Sequence, residues 1–351
     1  MVRMSDLVRG LGRDAAAPPV ERAPELRPSE LAPPPLPRAE VAEPRPLPPH
    51  PAGAPTDDPS ALLGELQELL LEVRVLARGT GDFPWTRLQA LIDRAVTSLE
   101  RSPDLFWVAN NPAAAPGADY LAFHQARVAV MALRIGANVT YDRRRLILLG
   151  MAGCLIDVGL WQMPETLLRR LDSLAGDELA AYRSHPRLSA DLVRRWTPPH
   201  EAIVPAVLEH HEREQGQGFP QGLTGTGVDA DAKILGLADT YTGLTVPPTA
   251  RPRLRPHEAV REIVKSRHDS FPPALIKALL SEISVFPPGT IVRLNTEEIG
   301  RVIAVNRNHP LRPRVEIMAD SKGQRLPSPK IVDLSEAPFL YVTGPVTEAS
   351  R

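Results

Sequence analysis

The sequence has a single cysteine, Cys154, in 351 residues. No internal disulfide can form, and a lone thiol suits a reducing compartment. Neither sign of charge is in surplus: 41 Lys and Arg stand against 42 Asp and Glu, a formal net of -1. A general nucleic-acid binder needs a basic face, so no nucleic-acid partner is expected. Long hydrophobic runs are missing too. The longest, residues 146–156, stops at Asp157 and is too short to cross a bilayer. Residues 1–14 carry Arg3, Asp6, Arg9 and Arg13 with no apolar stretch, which is not a signal-peptide pattern. Apolar residues make up 43% of the chain, enough to fill a core. These features together predict a cytoplasmic protein with no membrane span.

Proline, in contrast, is plentiful and unevenly placed. Fifteen of the 39 fall between Pro18 and Pro59, among Ala, Arg and Glu. Proline removes backbone donors, and this stretch has few large apolar side chains to bury. Residues 1–59 are therefore expected to be a disordered proline-rich tail. A tether is the plain reading, and a docking segment for a groove-type partner is the sharper one.

From Ser60 the pattern turns helical. Leu62, Leu63, Leu66, Leu69, Leu70, Val73 and Leu76 recur at three- and four-residue spacing, with Glu65, Glu68 and Glu72 on other faces. A break over 79–84 separates this helix from a second one, marked by Trp85, Leu88, Leu91, Ile92, Val96 and Leu99 and ending near Pro103. Residues 60–117 read as core or dimer-forming helices. Residues 118–284 continue as helices, with clear periodicity over 120–137 and 143–154. Pro164, Pro186, Pro198 and the glycine-rich loop 216–227 punctuate them. Near Val285 the texture becomes β-branched. Short runs over 290–295, 300–306, 314–318 and 341–343 predict a small antiparallel sheet or barrel spanning 285–351. The expected fold is mainly α, with a small C-terminal β domain.

Four of the nine histidines stand out: His124, His185, His210 and His211. Asp157 and Asp239 join them, each at the edge of an apolar stretch. A buried polar group needs a partner, and one divalent ion can serve several. Neutral imidazole with carboxylate suits iron, manganese or zinc. The plain readings stand beside this one. His124 alone on an apolar helix also reads as a hydrogen-bonded core histidine, and His185 before Pro186 as a helix start. On a helix, His210 and His211 would point about 100° apart.

The order of these motifs resembles the HD-GYP family. His124, Ile156-Asp157, His185-Pro186, His210-His211-Glu212-Arg213, Gly218-Phe219-Pro220 and Asp239 follow in sequence over roughly residues 95–284. The family usually has His-Asp at Ile156-Asp157 and Gly-Tyr-Pro at Gly218-Phe219-Pro220. The resemblance implies an HD-domain-like helical bundle and a metal-dependent phosphodiesterase of cyclic di-GMP, in a bacterial signalling setting. Asp157 would be the catalytic, metal-bridging carboxylate. A first ion would use His124, Asp157 and Asp239. A second would use Asp157, His185, His210 and His211. Arg213, Gly216, Gly218, Phe219 and Pro220 would form the loop that meets substrate or partner. Cyclic di-GMP or a related nucleotide, and signalling proteins of the diguanylate-cyclase type, would be the partners.

The departures fall on the working parts. Ile156 cannot coordinate an ion. Leu160 stands where the family has a phosphate-contacting lysine, and Tyr120 where a third ion needs a glutamate. Gln215, Lys233 and Thr242 also depart from the pattern. The expectation is a phosphodiesterase-type fold with impaired or lost hydrolysis, holding one divalent ion rather than two or three. A catalytically silent scaffold or partner-binding module is the alternative.

Overall fold

The computed structural model describes residues 57–346, apart from 112–118, 171–172, 249–251, 267–269, 287, 307–308 and 310. Of the tail expected at 1–59, residues 1–56 lie outside the described residues.

The helical part begins with α1 (Pro59–Arg78), and local chemistry explains its start. Asp58 caps it by accepting from the Ala61 amide at 2.8 Å, and Pro59 occupies the first turn. Its leucine stripe is buried, as the periodicity predicts: Leu62, Leu66, Leu69, Leu70 and Val73 are sealed from solvent. Each such side chain stabilises by roughly 1.5–3 kcal/mol. The helix packs on α2 (Trp85–Arg101), α3 (Asp104–Ala109) and α4 (Tyr120–Asn138). The short α3 had no periodicity to announce it, because six residues make less than two turns.

The central element is α4. Fifteen of its residues, from Leu121 to Gly136, are buried, and α1, α3, α5 (Arg143–Gly153), α10 (Ala230–Thr245) and α12 (Pro273–Glu282) all pack on it. A helix covered all round reads as apolar all round, yet this one carries His124, Gln125 and Arg127 inside the fold. After α5 come a turn over 154–157 and a 3₁₀ segment, Val158–Gln162. By length and apolarity, Arg143–Gln162 would suffice to cross a membrane. Its helix stops at Gly153 and 78% of the stretch is buried inside the fold, so core packing accounts for its composition. Then follow α6 (Glu165–Leu168), α7 (Gly176–Arg183), α8 (His185–Arg195), α9 (Ile203–Leu208) and, beyond α10, α11 (Pro256–Ser266).

The C-terminal strands are β1 (Ile291–Leu294), β2 (Ile299–Ala304), β3 (Arg314–Ala319), β4 (Arg325–Asp333) and β5 (Val342–Pro345). They form one antiparallel sheet in the order β4-β3-β2-β1-β5. The mainly helical architecture with a small sheet is thus the one the sequence predicts, and four strands fall where expected. The fifth, β4, did not show in the sequence because Pro327 and Pro329 interrupt it. It lies at the sheet edge, where missing donors are tolerated.

Two glycines set how closely the helices approach the polar residues. A Cβ on Gly236, in α10, would overlap the His210 carbonyl. One on Gly218 would overlap the backbone at His211, Glu212 and Arg213. Gly236→Ala should therefore lower stability by about 1–3 kcal/mol, as overpacking does, although alanine is the better helix former. Urea denaturation would show a lower midpoint. An unchanged or higher midpoint would mean that α10 and the His210 turn have room to part.

Candidate metal centre

Asp157 sits at the corner between α5 and the 3₁₀ segment. Its amide donates to Gln125 Oε1 at 3.2 Å, and the Gly159 amide donates to Ser189 Oγ at 2.9 Å. The corner is thereby tied to α4 on one side and to α8 on the other. His185 opens α8, one turn before Ser189. His210 and His211 were expected on a helix, but α9 ends at Leu208 and the pair lies in the turn after it. Both rings still converge on His185, with Nε2 separations of 3.4 Å from His210 and 3.1 Å from His211.

The tautomers follow from backbone bonds. His185 Nδ1 is 2.7 Å from the Tyr182 carbonyl, and His210 Nδ1 is 2.7 Å from the Val207 carbonyl. A carbonyl only accepts, so each Nδ1 carries its proton, and each ring that holds no second proton turns an Nε2 lone pair inward. Asp157 Oδ1 lies 3.2 Å from His185 Nε2 and 3.7 Å from His210 Nε2. One ligand atom from each of Asp157, His185, His210 and His211 falls within 4.8 Å of all the others.

The Asp157 oxygen and the His185 and His210 Nε2 lone pairs repel one another unless a proton or a metal cation lies between them. Three imidazole nitrogens and a carboxylate oxygen form a donor set that fits a divalent ion with open positions. The carbonyl bonds are the outer support that metal-binding histidines commonly have. Burial pushes the His211 imidazole well below its usual range, and the neighbouring His210 and His185 push the same way, so this ring is neutral and able to donate. Burial resists ionisation of Asp157, but the His185 and His210 side chains facing it outweigh burial and hold the carboxyl well below the usual carboxylate range.

The second group is His124, Asp157 and Asp239. His124 Nε2 is 2.8 Å from Asp239 Oδ1 and 3.8 Å from Asp157 Oδ2. Its Nδ1 is 3.3 Å from the Tyr120 hydroxyl, which itself donates to the Val246 carbonyl at 2.9 Å. This histidine is satisfied in two ways. Its Nε2–H can donate to Asp239 with no ion present, or Nδ1–H can donate to Tyr120 and leave Nε2 free. Ile156 is fully buried in the apolar core and contributes no donor. The two groups therefore differ: in the first, neutral rings leave His185 and His210 Nε2 lone pairs facing the Asp157 carboxylate, and in the second, His124 has a hydrogen-bond partner for either tautomer.

The neighbouring loop is held by residues the sequence did not single out. The Glu212 carboxylate is buried and accepts the amides of Gln221, Gly222 and Leu223 at 2.6, 3.2 and 3.0 Å. Arg213 was expected to meet substrate or partner. It donates to the His210 and Glu212 carbonyls at 2.9 and 2.8 Å, so much of its hydrogen bonding supports the histidine turn. Gly216 takes a positive φ of 77°, which a side chain would resist. Phe219 stacks on His211, with ring centroids 4.5 Å apart at 26°. The Phe219–Pro220 peptide is cis. Lys233 pairs with Glu214 at 2.7 Å, and the Thr242 hydroxyl is buried without a partner.

His124, Asp157, His211, Arg213, Gly218, Phe219 and Asp239 open onto one cleft of about 740 Å³. His185 and His210 are buried behind it. Replacing Glu212 with alanine leaves three loop amides without their acceptor, at roughly 1–3 kcal/mol for the disrupted network. Limited proteolysis of Glu212→Ala should cut within residues 219–225 under conditions that leave the parent chain whole. Equal resistance in both would show that the loop is held by other contacts.

Two regions of the chain match known families. Residues 111–275 match the HD domain family, and residues 291–351 match the KOW domain associated with HD domains. A cyclic di-GMP phosphodiesterase of Pseudomonas aeruginosa is 25% identical over 220 residues, which cover 62% of this chain and 53% of that protein. One from Borreliella burgdorferi is 20% identical over 219 residues, 62% of this chain and 56% of its own. A 3'3'-cGAMP-specific phosphodiesterase of Vibrio cholerae is 22% identical over 225 residues, 64% and 42% of the two chains. The chain thus spans about half the length of the curated relatives it matches. The solved structure of an HDG"Y"P protein from Bdellovibrio bacteriovorus shares the fold, with a TM-score of 0.53 at 19% identity over 64% of this chain and 72% of that one.

Proposed function

Since this chain carries an HD domain and belongs with the HD-GYP proteins, we propose that it is a metal-holding receptor for cyclic di-GMP or a related cyclic dinucleotide, with hydrolysis weak or absent. The observation that carries the reading is the set of three inward imidazole nitrogens and one carboxylate oxygen beside an open cleft. His185, His210, His211 and Asp157 would hold the ion. When bound, a divalent ion supplies Lewis-acid polarisation of a phosphate oxygen and offsets its charge. The chain's own residues orient and exclude. The Tyr182 and Val207 carbonyls fix the ring tautomers, Arg213 holds the histidine turn, and Phe219 covers the outer face of His211.

Weak turnover follows from the second group. Metal-assisted displacement in two-ion sites clamps the attacking and the leaving oxygens together. His124, Asp157 and Asp239 offer only two ligands that are not shared, and His124 with Asp239 is already satisfied at 2.8 Å. Leu160 adds no charge to the cleft wall where negative charge would grow. The closed His124–Asp239 pair also favours the second reading, a catalytically silent module that binds signalling partners through the Gly218-Phe219-Pro220 loop. In either role the setting we propose is the bacterial cytoplasm.

Metal analysis of the purified chain, grown with iron, manganese or zinc, should give close to one divalent ion. Changing His210 and His211 to alanine should remove it, and Ile156→His should raise the content toward two. Near-zero metal in the parent chain would overturn the site.

Hydrolysis of cyclic di-GMP should be at least about a hundredfold slower than in a relative with His-Asp at this position, a tenfold or larger loss being assigned to each of Ile156 and Leu160. Ordinary turnover, abolished by Asp157→Ala, would refute the weak-hydrolysis reading.

A further inference from the structure

The floor of the cleft is acids and imidazoles, and its wall is rich in arginine. Arg74, Arg78, Arg169, Arg183 and Arg213 all line it. Three are already committed. Arg74 pairs with Asp119 at 2.8 Å, Arg169 pairs with Glu165 at 2.7 Å, and Arg213 holds two backbone carbonyls. Arg78 and Arg183 have no carboxylate partner among the described residues.

Arg78 lies in the last turn of α1. Its Nε donates to the Trp161 carbonyl at 2.7 Å, which fixes the plane of the guanidinium, and both terminal nitrogens have no acceptor among the described residues. Trp161 and its apolar neighbour Leu160 form the adjoining wall. Arg183, at the end of α7, sits over the Phe219 ring at 5.7 Å. An oriented guanidinium with two free edge donors suits a phosphate better than a mobile ammonium would.

We propose that Arg78 and Arg183 form a phosphate-binding wall for the nucleotide. They would engage the phosphodiester that the metal centre does not hold. The proposal rests on the cyclic dinucleotide reading. Such a ligand carries two phosphodiesters with one negative charge each. A single metal centre can hold only one of them, and the other needs cationic donors elsewhere in the cleft. The first arginine comes from α1, outside residues 111–275, so the helix preceding the matched domain completes the ligand site.

The test is calorimetric titration of the full-length, metal-loaded chain with cyclic di-GMP at low and moderate salt. Arg78→Met and Arg183→Met should each weaken binding by about tenfold or more and reduce its salt dependence. Arg78→Lys keeps the charge and should lose less than Arg78→Met. Arg101→Met, an exposed arginine at the end of α2, should bind as the parent does. Metal content and melting temperature should stay at parent values throughout. Parent-like affinity in both methionine variants would overturn the arginine wall while leaving the cyclic dinucleotide reading intact. Equal loss in Arg78→Met and Arg78→Lys with lowered melting temperatures would also overturn it, by making Arg78 a structural clamp on Trp161. No binding by the parent chain would instead reject the cyclic dinucleotide reading, and the arginine wall with it.

Discussion

The arrangement depends on two short hydrogen bonds, from His185 Nδ1 to the Tyr182 carbonyl and from His210 Nδ1 to the Val207 carbonyl. Each fixes which nitrogen carries the proton. Together they direct two lone pairs at Asp157, whose carboxyl is held ionised in a buried corner. Such a corner is costly unless positive charge enters it. The surrounding structure keeps the corner from relaxing. Gln125 and Ser189 grip the backbone on either side of Asp157, and Gly236 lets α10 pack directly against the His210 carbonyl.

Much of this could be read in the sequence, for identifiable reasons. The leucine spacing of α1 and the three- and four-residue apolar spacing of α4 are local patterns, and both helices appear where those patterns run. The four histidines and two aspartates were visible because polar residues interrupt apolar segments. The tautomers could not be read, because they are set by the backbone carbonyls of Tyr182 and Val207, whose side chains take no part in those bonds. Glu212 was invisible for a similar reason. Its partners are the amides of residues 221–223, and no side-chain pattern marks them. The helical placement of His210 and His211 was wrong because α9 is only six residues long and unwinds before the pair. In β4, an edge position removes the ladder bonds that Pro327 and Pro329 could not make, so the propensity signal misled.

The two ligand groups are unequal in a way that bears on chemistry. Around Asp157, neutral His185 and His210 rings leave lone pairs facing a carboxylate, a contact that a proton or a metal ion relieves. Around His124, an ordinary histidine–carboxylate hydrogen bond is available, and the Tyr120 hydroxyl supplies the other partner. Ile156 fits this division. It is buried among apolar side chains, so the position reinforces the core and leaves the polar corner to others.

Charge sets the last constraint. Asp157 and Asp239 together carry two negative charges, and a single divalent ion just cancels them. A centre with one ion is therefore close to neutral and has little long-range pull on a phosphodiester. A second ion would have made it strongly positive. If that centre holds one ion, the attraction for an anionic ligand would come from elsewhere in the cleft, and the proposed Arg78 and Arg183 wall would provide it. Charge placed in the wall acts on the ligand as a whole. It favours the bound ligand and the transition state about equally, and uniform binding of that kind does not raise turnover. On the proposed reading, positive charge placed in the wall rather than at the reacting phosphate would favour a receptor over an efficient hydrolase.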